Sequence, residues 1–241
     1  MPRIITFASG NIWRWDKTQD FDKLIPYAKS LKLDGFELTF KTKEQLYAFK
    51  ISKANEKWLK SLKYVTIHAP FKLVRKADGK LEIIRQLQVI ETLYKKFNAK
   101  NVIIHPLDLP NSKILNRFNF KVSTENLTPK SKFTISKLNK TLKKYPKIGL
   151  CLDVSHAYLW SKYETEKLVK TFDKRITQIH LSGTYRKSGY HSMRIVTDNF
   201  MFSIKPIFKL NVPIVIEEDM KIKSKKLLTD EVNYIKEMFR K

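Results

Sequence analysis

Five short apolar runs in the chain each end on a side chain that can bind a metal ion. The runs are YVTIH ending on His68, NVIIH on His105, LCLD on Asp153, ITQIH on His180 and PIVIE on Glu217. An unbroken apolar run is typical of a parallel strand that is covered on both faces. An ionisable group at the end of such a strand is costly to bury unless it is paired or bound to a metal. The sequence therefore predicts a ring of metal ligands at the ends of buried strands.

All five histidines of the chain fall at this predicted edge. They are His68, His105 and His180 at strand ends, His156 three residues after a strand end, and His191 in the loop after the seventh strand. A single histidine in such a place is more often a hydrogen-bonded core residue than a ligand, but five on one edge favour a metal site. The carboxylates that share the edge are Glu125, Asp153 and Glu217. Imidazole and carboxylate together suit zinc, manganese or iron.

Glu125 lies in the middle of the ligands in chain order. A carboxylate in such a place can bridge two metal ions a few ångströms apart, the arrangement that two-metal hydrolases use. Glu125 is therefore the candidate for a bridging ligand.

The spacing of apolar residues predicts eight strands, each followed by a helix. The predicted strands cover residues 3–8, 35–40, 64–68, 102–105, 120–125, 148–153, 176–180 and 213–217. Between them we expect one helix over residues 44–58 and a long loop over residues 182–195. Eight consecutive units favour an α/β protein, a single (β/α)8 TIM barrel over residues 1–241, with a doubly wound sheet as the alternative. In a barrel the carboxyl ends of all strands meet at one mouth, where active sites lie.

The composition is strongly basic. The 48 Lys and Arg residues against 23 Asp and Glu residues give a formal net charge of +25. Such a surface attracts polyanions, of which nucleic acid is the most common. The only cysteine, Cys151, lies inside an apolar run, which excludes a disulfide framework. No apolar run reaches membrane-spanning length, so we expect a soluble, cytoplasmic protein with no membrane partner.

The motifs around these residues, taken in order, resemble those of the endonuclease IV family within the xylose-isomerase-like barrel superfamily. The matching segments are IHAPF, IIHP, STENL, LCLDVSHAY, QIHLS and IVIEE, from about Glu37 to Glu217. The resemblance implies a metal-dependent hydrolase of the DNA repair type. Its activity would be cleavage of the DNA phosphodiester 5′ to abasic sites in base excision repair.

The resemblance also implies a ligand set. His68 and His105 would hold one metal, and Glu125 would bridge to a second metal held by Asp153, His180 and Glu217. His156 and His191 would hold a third, and Glu125 and Glu217 are the candidate catalytic carboxylates. The family places an aspartate two residues before its last histidine, and this chain has Gly189 there. We therefore expect two or three divalent ions, zinc first and manganese second.

Several residues near the predicted mouth are candidates for contact with abasic duplex DNA. Phe71 falls where the family has an aromatic side chain on a DNA-penetrating loop. Trp13 can stack on bases while Arg14 meets phosphate, and Lys72 and Arg186 can follow the backbone. Ordinary packing of the aromatic rings and solvation of the charges are the alternatives.

Sugar isomerases and epimerases of the same superfamily are the competing interpretation. These enzymes hold a single metal with four ligands, and the chain resembles them in having Glu125, Asp153, His180 and Glu217 at those positions. A shared fold does not decide between the nuclease and the sugar enzyme. His68 and His105, as ligands for a further metal, and the charge of the chain favour the nuclease. A catalytically inactive nucleic-acid-binding barrel is the third interpretation.

Overall fold

Eight parallel strands close into a barrel in the computed structural model, which describes residues 3–12, 20–74, 79–185, 188–218 and 224–240. They are β1 (Ile5–Ala8), β2 (Gly35–Thr39), β3 (Tyr64–His68), β4 (Asn101–Ile103), β5 (Val122–Glu125), β6 (Gly149–Asp153), β7 (Ile176–Leu181) and β10 (Ile214–Ile216). A separate antiparallel hairpin consists of β8 (Gly183–Tyr185) and β9 (Ser188–His191). Around the barrel the strands follow the order β1-β10-β7-β6-β5-β4-β3-β2, and β2 returns to β1.

Helices pack around the outside of the barrel. They are α1 (Phe21–Ser30), α2 (Lys43–Tyr47), α3 (Lys53–Ser61), α4 (Lys80–Lys96), α5 (Ser112–Leu115), α6 (Ile135–Lys144), α7 (Val154–Trp160), α8 (Glu164–Phe172), α9 (Asp198–Ile204) and α10 (Lys225–Met238). In α4, Ile83, Leu87 and Ile90 are buried at helical spacing and form the face turned to the core. In the described part of the chain, no helix is long and apolar enough to cross a membrane.

The strand register places the ends of several strands side by side. His68 at the end of β3 pairs with Thr39 of β2, and Asp153 at the end of β6 pairs with His180 of β7. Because parallel neighbours in register end at the same level, side chains from distant parts of the sequence arrive at one mouth.

The prediction of a single helix over residues 44–58 is wrong, because this part of the chain forms two helices, α2 and α3. Thr42 caps the first helix through a bond from Gln45 N. Ser52 caps the second by accepting from Asn55 N, and its own backbone N–H donates to the Asp22 carboxylate at 2.8 Å. A second N-cap of this kind starts a new helix whatever the apolar spacing around it.

The long loop predicted after the seventh strand contains the β8–β9 hairpin. Gly183 pairs with His191, and Tyr185 pairs with Ser188. Trp13, Arg14 and Arg186, three of the candidate nucleic-acid contacts, lie outside the described residues.

Gly35, where β2 starts, sits too close to the neighbouring strand to carry a side chain. A Cβ atom there would lie 2.0 Å from the Tyr64 carbonyl oxygen. We expect Gly35→Ala to lower the free energy of unfolding by roughly 3 kcal/mol, because backbone must shift to make room. Gly79→Ala is the control, since nothing lies within 4 Å of its Cβ position, and it should cost below about 1 kcal/mol. Urea denaturation measures both, and equal stability of the two variants would contradict the packing described.

Candidate metal centre

The carboxyl ends of the strands bring six of the predicted ligands together at one mouth. His68, Glu125 and Asp153 end β3, β5 and β6, and His180 lies one residue before the end of β7. In each of two groups, all ligand atoms lie within 4.8 Å of one another. The groups are His68, His105 and Glu125, and Glu125, Asp153, His180 and Glu217. Both could hold a metal ion, and Glu125 belongs to both.

Glu125 presents a different oxygen to each group. Its Oε2 lies 3.6 Å from His68 Nε2 and 3.3 Å from His105 Nε2. Its Oε1 lies 3.3 Å from His180 Nδ1. The side chain is only 2% exposed, so this carboxylate is held in the wall between the two groups.

The backbone sets the tautomer of His68. Its Nδ1 lies 2.9 Å from the Ala69 carbonyl oxygen, which can only accept, so Nδ1 carries the proton and donates. In the neutral ring Nε2 then has a lone pair, and this atom faces Glu125. A lone pair aimed at a carboxylate is suited to binding a cation between the two.

On the side of the ring away from the other ligands, His180 contacts Glu37, a fully buried carboxylate in the middle of β2. Glu37 Oε2 lies 3.3 Å from His180 Nε2 and also accepts from Thr66 Oγ1 at 2.9 Å and from Gln178 Nε2 at 3.1 Å. With the ring proton on Nε2, the lone pair of His180 Nδ1 can bind a metal. Carboxylates that orient a histidine in this way also make it a stronger ligand.

The two carboxylate oxygens of Asp153 have different surroundings: one caps a helix, and the other faces the four-residue ligand group. Its Oδ1 accepts from His156 N at 2.7 Å and from Ser155 Oγ at 2.9 Å, which caps the start of α7. The backbone of Asp153 is fixed by Asn126, whose side chain bonds both its N–H and its carbonyl oxygen. Because the cap fixes Oδ1, the other oxygen, Oδ2, is left facing the group of four ligands.

Three buried atoms of the four-residue group make no hydrogen bond to the described residues. They are Asp153 Oδ2, His180 Nδ1 and Glu217 Oε2. The last two approach to 2.9 Å, but without the geometry of a hydrogen bond. Unsatisfied polar atoms are costly to bury, and a divalent cation would satisfy all three. The nitrogen and oxygen donors thus fit a transition metal ion such as zinc.

The ionisation of the group reflects its burial. Burial raises the pKa of Asp153 to about 7, with the charges of Glu125 and Glu217 adding to the effect. Burial also opposes ionisation of Glu125, but the neighbouring histidines, His105 first, outweigh it and hold its pKa well below the usual value. Burial would lower the pKa of His180, but the nearby acidic groups raise it well above its usual value. A bound cation would take the place of these protons.

His156 and His191, the predicted ligands of a third metal, join neither group. His156 Nδ1 donates to the Asn126 carbonyl oxygen at 2.9 Å, and its Nε2 lies 2.8 Å from the Tyr190 hydroxyl. His191 ends the hairpin, with its ring 5.8 Å from that of Tyr185. A Cβ at Gly189 would lie 3.0 Å from Ser155 Oγ, so a longer side chain there needs the serine to move.

Tyr190 is a site residue that sequence analysis missed. Its backbone has a φ of 64°, in the left-handed region that side chains other than glycine and asparagine seldom adopt. The ring is 37% exposed, but burial of the hydroxyl, together with the nearby carboxylates, raises its pKa well above the usual value. No sequence pattern indicated this role, because it depends on how the hairpin folds back over the mouth.

Two buried glutamates secure the far end of that hairpin. Glu231 of α10 accepts from Met193 N at 2.7 Å and from Ser192 Oγ, and Glu218 Oε1 lies 3.3 Å from the same N–H. Burial, then the hydrogen bond and charge of Glu231, raise the pKa of Glu218 well above its usual value, so the two carboxyls can share a proton. The segment that follows His191 is thereby fixed to the last helix.

Phe71 and Lys72 lie in the turn after β3, at the rim of the mouth. The Phe71 ring is 38% exposed, and its centroid lies 5.0 Å from that of His105 and 5.4 Å from that of His68. Lys72 N donates to Asp108 Oδ2 at 2.9 Å, which fixes the turn. This aromatic face is therefore placed directly beside the smaller group of ligands.

Glu37 is the second residue that was not assigned to the site from sequence. Its signal was present, since it is a charged residue inside the apolar run GFELTF. A carboxylate buried there must have a partner, but the sequence did not indicate that the partner is His180, 143 positions away.

No protein-family model and no curated protein matches the chain, but solved structures do. The probable 3-DHS dehydratase AsbF from Bacillus anthracis matches with a TM-score of 0.70 at 12% identity, over 96% of this chain and 98% of that chain. The D-allulose 3-epimerase from Methylomonas sp. matches with a TM-score of 0.68 at 13% identity, over 98% of both chains. Endonuclease IV from Thermus thermophilus matches with a TM-score of 0.63 at 15% identity, over 99% of this chain and 98% of that chain.

These likenesses confirm the predicted fold, a single closed (β/α)8 barrel. At such low identities they establish the fold alone. The similar proteins are a dehydratase, an epimerase and an endonuclease, so the activity has to be argued from the site.

Replacing Glu37 tests whether the carboxylate under His180 supports metal binding. We expect Glu37→Gln to weaken zinc binding by about 10- to 100-fold, because the carboxylate that orients the ring and increases its basicity is lost. A competition titration against a chromophoric chelator measures the affinity. Glu56→Gln is the matched control, since Glu56 pairs with Lys60 and Lys96 on the surface. Equal zinc affinity in the two variants would count against the role given to Glu37.

Proposed function

We propose that this protein is a metal-dependent phosphodiesterase that cuts the DNA backbone at abasic sites, as the resemblance to endonuclease IV implies. The observation that carries the proposal is the position of Glu125, with one carboxylate oxygen facing each of two ligand groups. A carboxylate shared in this way is the feature of a two-metal site, and two metals suit phosphodiester hydrolysis.

The side chains divide the work between the two groups. His68 and His105 would hold one ion, Asp153, His180 and Glu217 would hold the other, and Glu125 would bridge them. Two divalent ions would polarise the phosphate and lower the pKa of water at this mouth. The buried wall behind the ligands keeps them rigid, which limits reorganisation during the reaction.

Glu217 differs from Glu125 in its access to the mouth. Its side chain is 15% exposed, whereas that of Glu125 is 2% exposed. We assign Glu217 as the carboxylate that can both bind a metal and contact the substrate. From that position it can also transfer a proton. Glu125 is enclosed and suited to holding the two ions at a fixed separation.

The rim and the charge of the chain suit a nucleic acid substrate. The exposed face of Phe71 is available to stack on a base or pack against a sugar next to the ligands. Lys72 follows it in the same turn, and the formal net charge of +25 favours a phosphate backbone. A small neutral substrate gains little from such a charge.

A sugar isomerase or epimerase is the second candidate, and one observation favours it. Glu125, Asp153, His180 and Glu217 form a complete group of four ligands without His68 or His105. That group could hold one ion and contains two glutamates able to move protons. The nuclease and the isomerase therefore differ in whether activity requires the smaller ligand group, His68, His105 and Glu125.

Metal content provides the first test. We expect protein loaded with zinc or manganese to hold two ions per chain by elemental analysis. Glu125→Ala should lose both, because it removes a ligand from each group. His191→Ala should keep two, because His191 belongs to neither group. Three ions in the wild-type protein, with one lost in His191→Ala, would show that the hairpin histidine does bind a metal.

Activity on two substrate classes provides the second test. We expect incision of a duplex that contains a synthetic abasic site, and a loss of about 100-fold or more in His105→Ala, since about 3 kcal/mol of electrostatic stabilisation disappears with the metal. His191→Ala is the matched control and should retain activity. If His105→Ala instead leaves turnover of a ketose intact and the duplex is never cut, the isomerase is the correct assignment.

A further inference from the structure

A basic cavity lies at the end of the barrel opposite the metal centre. Its volume is about 610 Å³. Among its lining residues are those that start strands β3 to β6, namely Tyr64, Asn101, Val122 and Gly149. Tyr64 and His68 are the two ends of β3, so the cavity and the ligand mouth are separated by about 13 Å along that strand. The cavity is therefore distinct from the proposed active site.

Every charged residue in the described lining is a cation. They are Lys100, Lys121, Lys147, Lys174 and Arg175, and no carboxylate is among the described residues that line the cavity. Each of these cations lies just before one of the neighbouring strands β4 to β7. The closed barrel thus gathers positive charges that are far apart in the sequence.

Within the described residues, the ammonium groups of the four lysines form no ion pair with a carboxylate, and Asp173 accepts from the backbone N–H of Lys174. Lys63 makes the comparison direct, because it lies at the same point before β3. Its ammonium group is paired with Asp34 at 2.9 Å. Along α4 and α8, Lys95 and Lys170 are likewise paired with glutamates of their own helices. Unpaired cations around one cavity repel each other, and a bound anion would relieve that repulsion.

The floor of the cavity is polar and held in place by its own hydrogen bonds. Asn101 Nδ2 donates to Ser123 Oγ at 2.9 Å, and Ser123 Oγ lies 2.7 Å from Thr177 Oγ1. Arg175 Nε donates to the Ile148 carbonyl oxygen at 3.1 Å, so its guanidinium is tied to the backbone. The floor is therefore preorganised, while the lysine side chains above it can turn toward a ligand.

We propose that this cavity binds a small molecule that carries two or more phosphate groups, such as a nucleoside polyphosphate. The volume falls in the range of small-molecule sites. Four ammonium groups match the charge of a di- or triphosphate, and lysine is a common ligand of phosphate. The proposal does not depend on the activity proposed for the metal centre, because it uses none of the same residues.

Calorimetric titration with inorganic tripolyphosphate tests the proposal on the full chain. Lys121→Ala/Lys147→Ala should weaken binding at least about tenfold, because two charge-assisted contacts are lost. Both lysines are exposed, so the fold should be retained. The matched control is Lys23→Ala/Lys53→Ala, which removes the same charge from exposed positions on α1 and α3. Its affinity should change by less than about twofold, because these charges do not line the cavity and are screened by salt.

The metal-centre variant His105→Ala tests whether tripolyphosphate binds in the cavity or at the metal ligands. Tripolyphosphate should bind His105→Ala as tightly as it binds wild-type protein. Loss of binding in His105→Ala but not in the cavity variant would overturn the proposal, since the anion would then sit on the metals. An equal loss in both lysine pairs would also overturn it, because the attraction would be general. If the cavity variant lost affinity for duplex DNA but not for tripolyphosphate, the surface would be a nucleic-acid contact and the proposal would be wrong.

Discussion

The structure depends on one electrostatic constraint, the burial of several carboxylates within a few ångströms of one another. Glu37, Glu125 and Asp153 are all buried, and Glu217 completes the group. Carboxylates cannot all remain ionised in such a place without compensating positive charge. Imidazoles supply part of it, and a divalent cation bound between the groups would supply the rest. The ligand geometry, the shifted pKa values and the unsatisfied atoms are consequences of this constraint.

The fold meets the constraint by using backbone groups to direct side chains. A carbonyl oxygen fixes the proton of His68 on Nδ1. A helix cap occupies one oxygen of Asp153 and leaves the other for the cluster. These contacts belong to ordinary secondary structure, so the site needs few additional devices. Glu37 is the exception, because it is a buried charge in mid-strand whose partner is a ligand.

Charge is also arranged along the axis of the barrel. The mouth at the carboxyl ends concentrates acidic ligands among histidines, whereas the opposite end gathers unpaired lysines around a cavity in the part of the chain that the structure describes. The same strands connect the two ends, since β3 to β6 each start at the cavity, and β3, β5 and β6 end at a ligand. An overall excess of lysine therefore does not describe a uniform surface.

The sequence by itself determined the fold and most of the candidate ligands. Apolar runs that end on His68, Asp153 or His180 contain both the strand and its terminal group, so local pattern was sufficient, and six of the eight predicted ligands meet in two groups. Tertiary structure decided the rest. Whether Glu37 touches His180, or Tyr190 occupies Nε2 of His156, depends on strand register and on the hairpin. Both contacts join residues from separate elements, and the local pattern of a chain contains no information about which remote atom a buried polar group will meet.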